Sequence, residues 1–255
     1  MLSRVLPRGP RDLLWQILLF CGAYWLYRLV RGQVFDQSAA AFANARWIVD
    51  LQQTLHVFVE PDIQRWAIST GWVESVGSWM YLNTHFVVTT VTLAFVYLFR
   101  NEHFYWVRNM FMVGMGFALL GYVLFPTAPP RLMPGLGFID SVSDFTGVSS
   151  DSDVNALYNP YAAVPSMHVG FALMLAISMV RMTRHRWVKA LWVAYAPIVS
   201  LVVVVTANHW IFDAATGAAV AVVSAVLAQT VFARVRPAQW AWEPEPALPA
   251  PARAG

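Results

Sequence analysis

The chain reads as a succession of long apolar runs separated by polar stretches of very unequal length. A run of roughly 20 apolar residues crosses the hydrocarbon core of a bilayer. Six runs reach or approach that length: Leu13–Val30, Val76–Phe99, Tyr105–Phe125, Val164–Met182, Val188–Thr206 and Trp210–Phe232. The first is preceded by basic residues, and Ala43-Asn44-Ala45 beyond it has the look of a signal-peptide cleavage site. Its apolar stretch is longer than a signal core, so we read it as a retained helix.

The polar stretches differ in kind. Within Asp36–Gly71, the residues Ile48, Leu51, Leu55 and Val59 repeat at helical spacing, with Asp50, Gln52 and Gln53 between them. That pattern predicts an amphipathic helix packing on the bundle or lying in the interface. Pro126–Ala163 is rich in Pro, Gly, Ser and Asp and reads as an irregular loop outside the hydrocarbon. The tail from Pro237 is Pro/Ala-rich and is expected to be disordered. The predicted fold is therefore all-α: a polytopic membrane bundle of about six transmembrane helices with an amphipathic helix after the first. One membrane-embedded domain would cover 1–236, with a tail over 237–255.

Composition agrees. Apolar residues make up 58% of the chain and charged ones 12%, about half the charged share of a soluble domain. Cys21 is the only cysteine, which excludes a disulfide framework or a cysteine metal site within one chain. The net charge of +3 comes with no basic run outside helix ends, so nucleic acid is not an expected partner. With the N-terminus in the cytoplasm, only Arg28, Arg31, Arg46, Arg65 and Arg131 fall on the outer side, and the other twelve of the 17 Arg and Lys lie inside. This satisfies the positive-inside rule and turns the Pro126–Ala163 loop outward. The near-exclusive use of Arg over Lys hints at a GC-rich bacterial genome, hence a bacterial plasma membrane.

Three polar stretches on that outer side each abut an apolar run. Pro126-Thr127-Ala128-Pro129-Pro130-Arg131-Leu132 holds a single Arg among three prolines, and an Arg fork suits phosphate, although snorkelling also explains it. Val164-Pro165-Ser166-Met167-His168-Val169-Gly170 places Pro165, Ser166 and His168 about the first turn of a helix, whose free amides attract phosphate oxygens. In Thr206-Ala207-Asn208-His209-Trp210-Ile211-Phe212-Asp213, followed by Gly217, His209 and Asp213 share a helix face one turn apart. A carboxylate on one imidazole nitrogen fixes the tautomer and makes the other a better nucleophile. A helix-end pair that only stabilises packing is the plainer alternative. Asp140, Asp144, Asp151 and Asp153 serve either to keep the loop wet or to bind a polyol.

Together these stretches resemble the three-part signature of the type 2 phosphatidic acid phosphatase superfamily. Pro165-Ser166-Met167-His168 is similar to its second motif, His209 through Asp213 to its third, and Pro130-Arg131 stands where the first has its arginine. The first motif's lysine position is Leu124 here, and the third motif's Ser-Arg positions are Val202-Val203. With these cations missing, the pattern is closer to the branch that includes inositol phosphorylceramide synthase (inositolphosphotransferase-like). His85 and Tyr81 in Tyr81-Leu82-Asn83-Thr84-His85-Phe86, with Asn208, would then be headgroup contacts.

The resemblance implies in-line attack on phosphorus by His209, activated by Asp213, giving a phosphohistidine. His168 would protonate the leaving oxygen, and Arg131 and Ser166 would bind the phosphate. No metal or cofactor is implied; a metal held by His168, His209 and Asp213 is the minor alternative. The expected activity is phosphotransfer from a phospholipid or polyprenyl-phosphate donor to an alcohol acceptor. Hydrolysis with the same residues, water replacing the alcohol, is the alternative, and a non-catalytic transporter of phosphate-bearing solutes is a third.

Overall fold

The computed structural model describes residues 6–33, 37–147 and 161–244. Among them the chain is helical, with no strand and one isolated parallel bridge between Thr127 and Ala162. The helices are α1 (Gly9–Gln33), α2 (Ser38–Thr54), α3 (Glu60–Thr70), α4 (Trp72–Phe99), α5 (Asn101–Leu124), α6 (Ser141–Thr146), α7 (Met167–Met182), α8 (Arg186–Val205) and α9 (Ile211–Leu227). A π-helical turn, Ala228–Phe232, carries α9 on to Val235.

Among the described residues, four helices are long and apolar enough to cross a membrane: α4, α5, α8 and the extended α9. Their outward faces carry large apolar side chains, among them Phe86, Leu124, Leu191 and Val226, and α1 exposes Trp15, Leu18 and Trp25 in the same way. Water would not tolerate so continuous an apolar surface, whereas lipid requires it. The chain is a multi-pass membrane protein.

The span expected at Val164–Met182 is shorter than its apolar run. Ser166 is extended, so α7 starts at Met167 and has 16 residues. At 1.5 Å per residue it is about 24 Å long, against roughly 30 Å of hydrocarbon. It nevertheless sits centrally, packing against α4, α5, α8 and α9.

Two expectations about the flanking segments need correction. α2 ends at Thr54, leaving Leu55 and Val59 exposed, and its buried stripe is Ala41, Ala45, Ile48, Val49 and Gln52. Gln52, read as a polar-face residue, is thus turned inward. The chain after Pro237 also stays on the bundle as far as Trp242. Pro237–Trp240 is helical, and Trp242 stacks on His103 with 4.1 Å between ring centroids, under the Arg181 guanidinium at 4.2 Å. Two tryptophans supply apolar area that a Pro/Ala composition conceals. Residues 245–255, and Asp151 and Asp153 of the loop, lie outside the described residues.

The described part of the Pro126–Ala163 loop is tied down rather than free. Thr127 N–H donates to Tyr161 O (2.7 Å), Ala128 N–H to Ala41 O (3.1 Å), and Gln64 brackets the Ile139 backbone through Nε2 (2.8 Å) and Oε1 (3.1 Å). These bonds close the loop over the end of the bundle where α7 and α9 begin.

Candidate active site

α7 and α9 both start at that end, and their first turns touch. Ser166 N–H donates to Asp213 O (3.0 Å). A Cβ on Gly217 would lie 2.1 Å from Ser166 O, so only glycine permits this approach. The turn between α8 and α9 is equally tight. Ala207 adopts a left-handed φ of 51°, and the amides of Asn208 and His209 both donate to Val203 O (3.0 and 3.1 Å). A non-glycine residue in that region costs about 1–3 kcal/mol, and such strain gathers at functional sites. The result is an imidazole at position 209 turned back over the bundle.

His209 is 6% exposed and Asp213 fully buried. His209 Nδ1 lies 3.0 Å from Ala163 O and 3.2 Å from Asp213 Oδ2. Both partners are acceptors, so Nδ1 carries the proton and the lone pair resides on Nε2. Asp213 Oδ2 also accepts the Trp210 N–H (2.9 Å), which fixes the carboxylate at the start of its own helix. The contact expected between His209 and Asp213 is made.

His168, in the first turn of α7, faces His209 with 5.6 Å between ring centroids. Its other faces meet Tyr81, stacked at 4.6 Å, and His85, tilted at 4.6 Å. Tyr81 and His85 therefore touch His168 from behind. A cavity of about 10 Å³, room for about one water, lies among Tyr81, Thr84, His85, His168 and Val203. His85 Nδ1 is buried without a hydrogen-bond partner among the described residues.

Arg131 occupies a single 3₁₀ turn, Pro130–Leu132. Its backbone N–H donates to Ala207 O (3.0 Å), its Nη1 to Asn208 Oδ1, and its Nε is 3.4 Å from Asp140 Oδ2. The loop arginine is thereby brought beside the turn that carries His209. Asn208 orients Arg131, and Asp140, which caps α6 by accepting from Ser143 N–H (3.2 Å), restrains it. Ser166 is fully buried and its Oγ has no partner among the described residues, while no side chain caps the first amides of α7.

Sequence reasoning missed Glu60 and Gln52. Glu60 is fully buried; its Oε1 accepts from Ile211 N–H (3.0 Å) and from Gln52 Nε2, and Gln52 Oε1 accepts from Phe212 N–H (3.1 Å). Nothing local announces this, because the helix that they cap lies 151 and 160 residues downstream. A buried polar position on the otherwise small, apolar face of α2 was the one available sign. Trp210 completes the wall, fully buried with its indole N–H on Ala128 O (2.9 Å).

Among the described residues, no three His, Cys, Asp or Glu side chains converge as a metal site. His168, His209, Asp213, Ser166 and Arg131 come from three segments of chain and meet at two adjoining helix N-termini. No curated protein and no solved structure matches the chain. Residues 46–227, which hold every element of this site, match the PAP2 superfamily. The chain belongs to that superfamily, whose chemistry is that of phosphatases and phosphotransferases.

Proposed function

We propose that this protein is a membrane phosphotransferase that moves a phosphoryl or phosphoalcohol group from a lipid phosphate ester to an alcohol through a phosphohistidine. The observation that carries the reading is the pinning of His209 Nδ1 between two acceptors, Ala163 O and Asp213 Oδ2. It leaves the lone pair on Nε2, the ring nitrogen available for attack.

In the first step Nε2 attacks phosphorus, the bond from phosphorus to the leaving oxygen breaks, and His168 gives that oxygen its proton. In the second step the acceptor's oxygen attacks the phosphohistidine, its proton passes to His168, and His209 is released. Asp213 compensates the positive charge that His209 gains. Arg131, Ser166 Oγ and the uncapped α7 amides receive the equatorial oxygens. The start of α9 has no such capacity, since Asp213, Glu60 and Gln52 already take its amides.

Charge matching supports a diester donor. The motif positions filled by cations elsewhere in the superfamily are Leu124, exposed at the rim, and Val202-Val203, packed among the helices. With Arg131 as the motif cation that remains, a monoanionic phosphodiester is a better electrostatic partner than a dianionic monoester. Hydrolysis with the same residues, water taking the place of the alcohol in the second step, is the second reading.

We place the site on the outer face of a bacterial plasma membrane. An impermeant maleimide should label Asp144→Cys in a Cys21→Ala background from outside intact cells; labelling only after lysis would reverse the orientation. The decisive assay presents the purified protein with phosphatidylinositol, phosphatidic acid or a polyprenyl diphosphate, with and without an alcohol such as inositol. A new phosphodiester formed only with acceptor supports transfer. Free phosphate released without acceptor makes the protein a phosphatase, and turnover in His209→Ala above a tenth of wild type removes His209 as nucleophile.

A further inference from the structure

Glu60 and Gln52 belong to α3 and α2, outside the matched motifs, yet both reach into the first turn of α9. The amides of Trp210, Ile211 and Phe212 have one acceptor each: Asp213 Oδ2 at 2.9 Å, Glu60 Oε1 at 3.0 Å and Gln52 Oε1 at 3.1 Å. Gln52 Nε2 donates to the same Glu60 oxygen, so the two side chains orient each other. Both are buried, Glu60 entirely and Gln52 with 2% of its surface exposed, so water offers the α9 amides no substitute partner.

This first turn is the stretch on which the chemistry depends. It begins one residue after His209 and ends at Asp213. A shift of the Ile211 and Phe212 backbone moves the carboxylate that holds His209 Nδ1, and with it the direction of Nε2. We propose that Glu60, held by Gln52, is a positioning residue: it locks the α9 N-terminus and so fixes the His209–Asp213 pair for attack. The proposal rests on His209 being the nucleophile. It gives the buried polar residues of α2 and α3 a role in the site that neither segment's own sequence displays.

Truncating Glu60 leaves the Ile211 amide without its acceptor and Gln52 without the group that orients it. A misplacement of about 1 Å at a reacting centre costs about 100-fold in rate. Glu60→Ala should therefore slow phosphohistidine formation by about 10- to 100-fold. Glu60→Gln keeps an acceptor oxygen for Ile211 and should stay within about threefold of wild type.

The test is single-turnover formation of the acid-labile phosphoenzyme from labelled lipid donor, fitted for amplitude and for rate constant. Loss of folded protein lowers the amplitude and leaves the rate constant of the remaining sites unchanged. Mispositioning lowers the rate constant itself. The expected result is a slow rate constant in Glu60→Ala, a smaller slowing in Gln52→Ala, and recovery in Glu60→Gln. A wild-type rate constant in Glu60→Ala overturns the proposal, and so does a Glu60→Gln variant as slow as Glu60→Ala. If wild type forms no phosphohistidine, the reading of His209 fails first, and the two failures are told apart.

Discussion

Gly217→Ala offers a test that touches no polar group of the site. Gly217 lies one turn after Asp213 on α9, against the Pro165–Ser166 segment that leads into α7. A Cβ there would sit 2.1 Å from Ser166 O, where ordinary contact begins at 3.4 Å, so the two backbones must part by about 1.3 Å. No flexible side chain can yield, because the obstructing atoms are the Ser166 carbonyl and, at 3.0 Å, its carbon. The separation stretches the Ser166 N–H to Asp213 O bond, now 3.0 Å, and carries His168 away from His209. Overpacking of this kind costs about 1–3 kcal/mol of stability, which a stable membrane bundle can survive. The effect on rate should be larger: about 100-fold for a displacement near 1 Å. The assay is initial rate per folded protein in detergent, with folding followed by a thermal melt. A folded variant within twofold of wild-type activity would refute the claim that close contact between the α7 and α9 N-termini sets the geometry.

Three other outcomes follow from the same geometry. Asp213→Asn should reduce turnover by at least 100-fold, because an amide cannot compensate the charge on a phosphorylated imidazole; retention of a tenth of the activity would remove Asp213 from the chemistry. Arg131→Lys should lose about 10-fold or more, since a point charge cannot reproduce a fork that binds Asn208 and phosphate together. Wild-type values of kcat and KM in that variant would confine Arg131 to the loop. Turnover should be unchanged after EDTA dialysis, and inhibition reversed by one metal would replace the mechanism with a metal-assisted one.

Much of this arrangement is legible along the chain because the bilayer imposes it. Long apolar runs with basic ends have few ways to fold, and the helices at Trp72–Phe99, Asn101–Leu124 and Arg186–Val205 follow their runs closely. The His209–Asp213 pair is legible for a similar reason: spacing four on a helix is local geometry. What escaped was nonlocal. The apolar run already begins at Val164, so periodicity alone cannot reveal that α7 begins late, at Met167. Leu55 and Val59 match a helical period that the chain ends at Thr54, before either can face inward. Trp240 and Trp242 dock a segment whose average composition suggests a free tail.

Glu60 and Gln52 show why such sites resist reading from one end of the chain. Two helix N-termini in contact present two positive ends to one small space, and a phosphate offered both would have no defined pose. The protein fills one end itself. Asp213 and Glu60 bring carboxylates, and Gln52 a carbonyl, to the start of α9, while the start of α7 keeps its amides and the buried Ser166 hydroxyl uncapped. In the proposed mechanism this asymmetry separates roles that adjacent dipoles would otherwise blur, with the nucleophile seated at one helix end and the anion that it attacks at the other. Each half of that division draws on residues from opposite ends of the sequence. It becomes visible only when α2 and α3 are packed against α9, where an acidic residue far from any motif accepts a hydrogen bond in the same turn that carries Asp213.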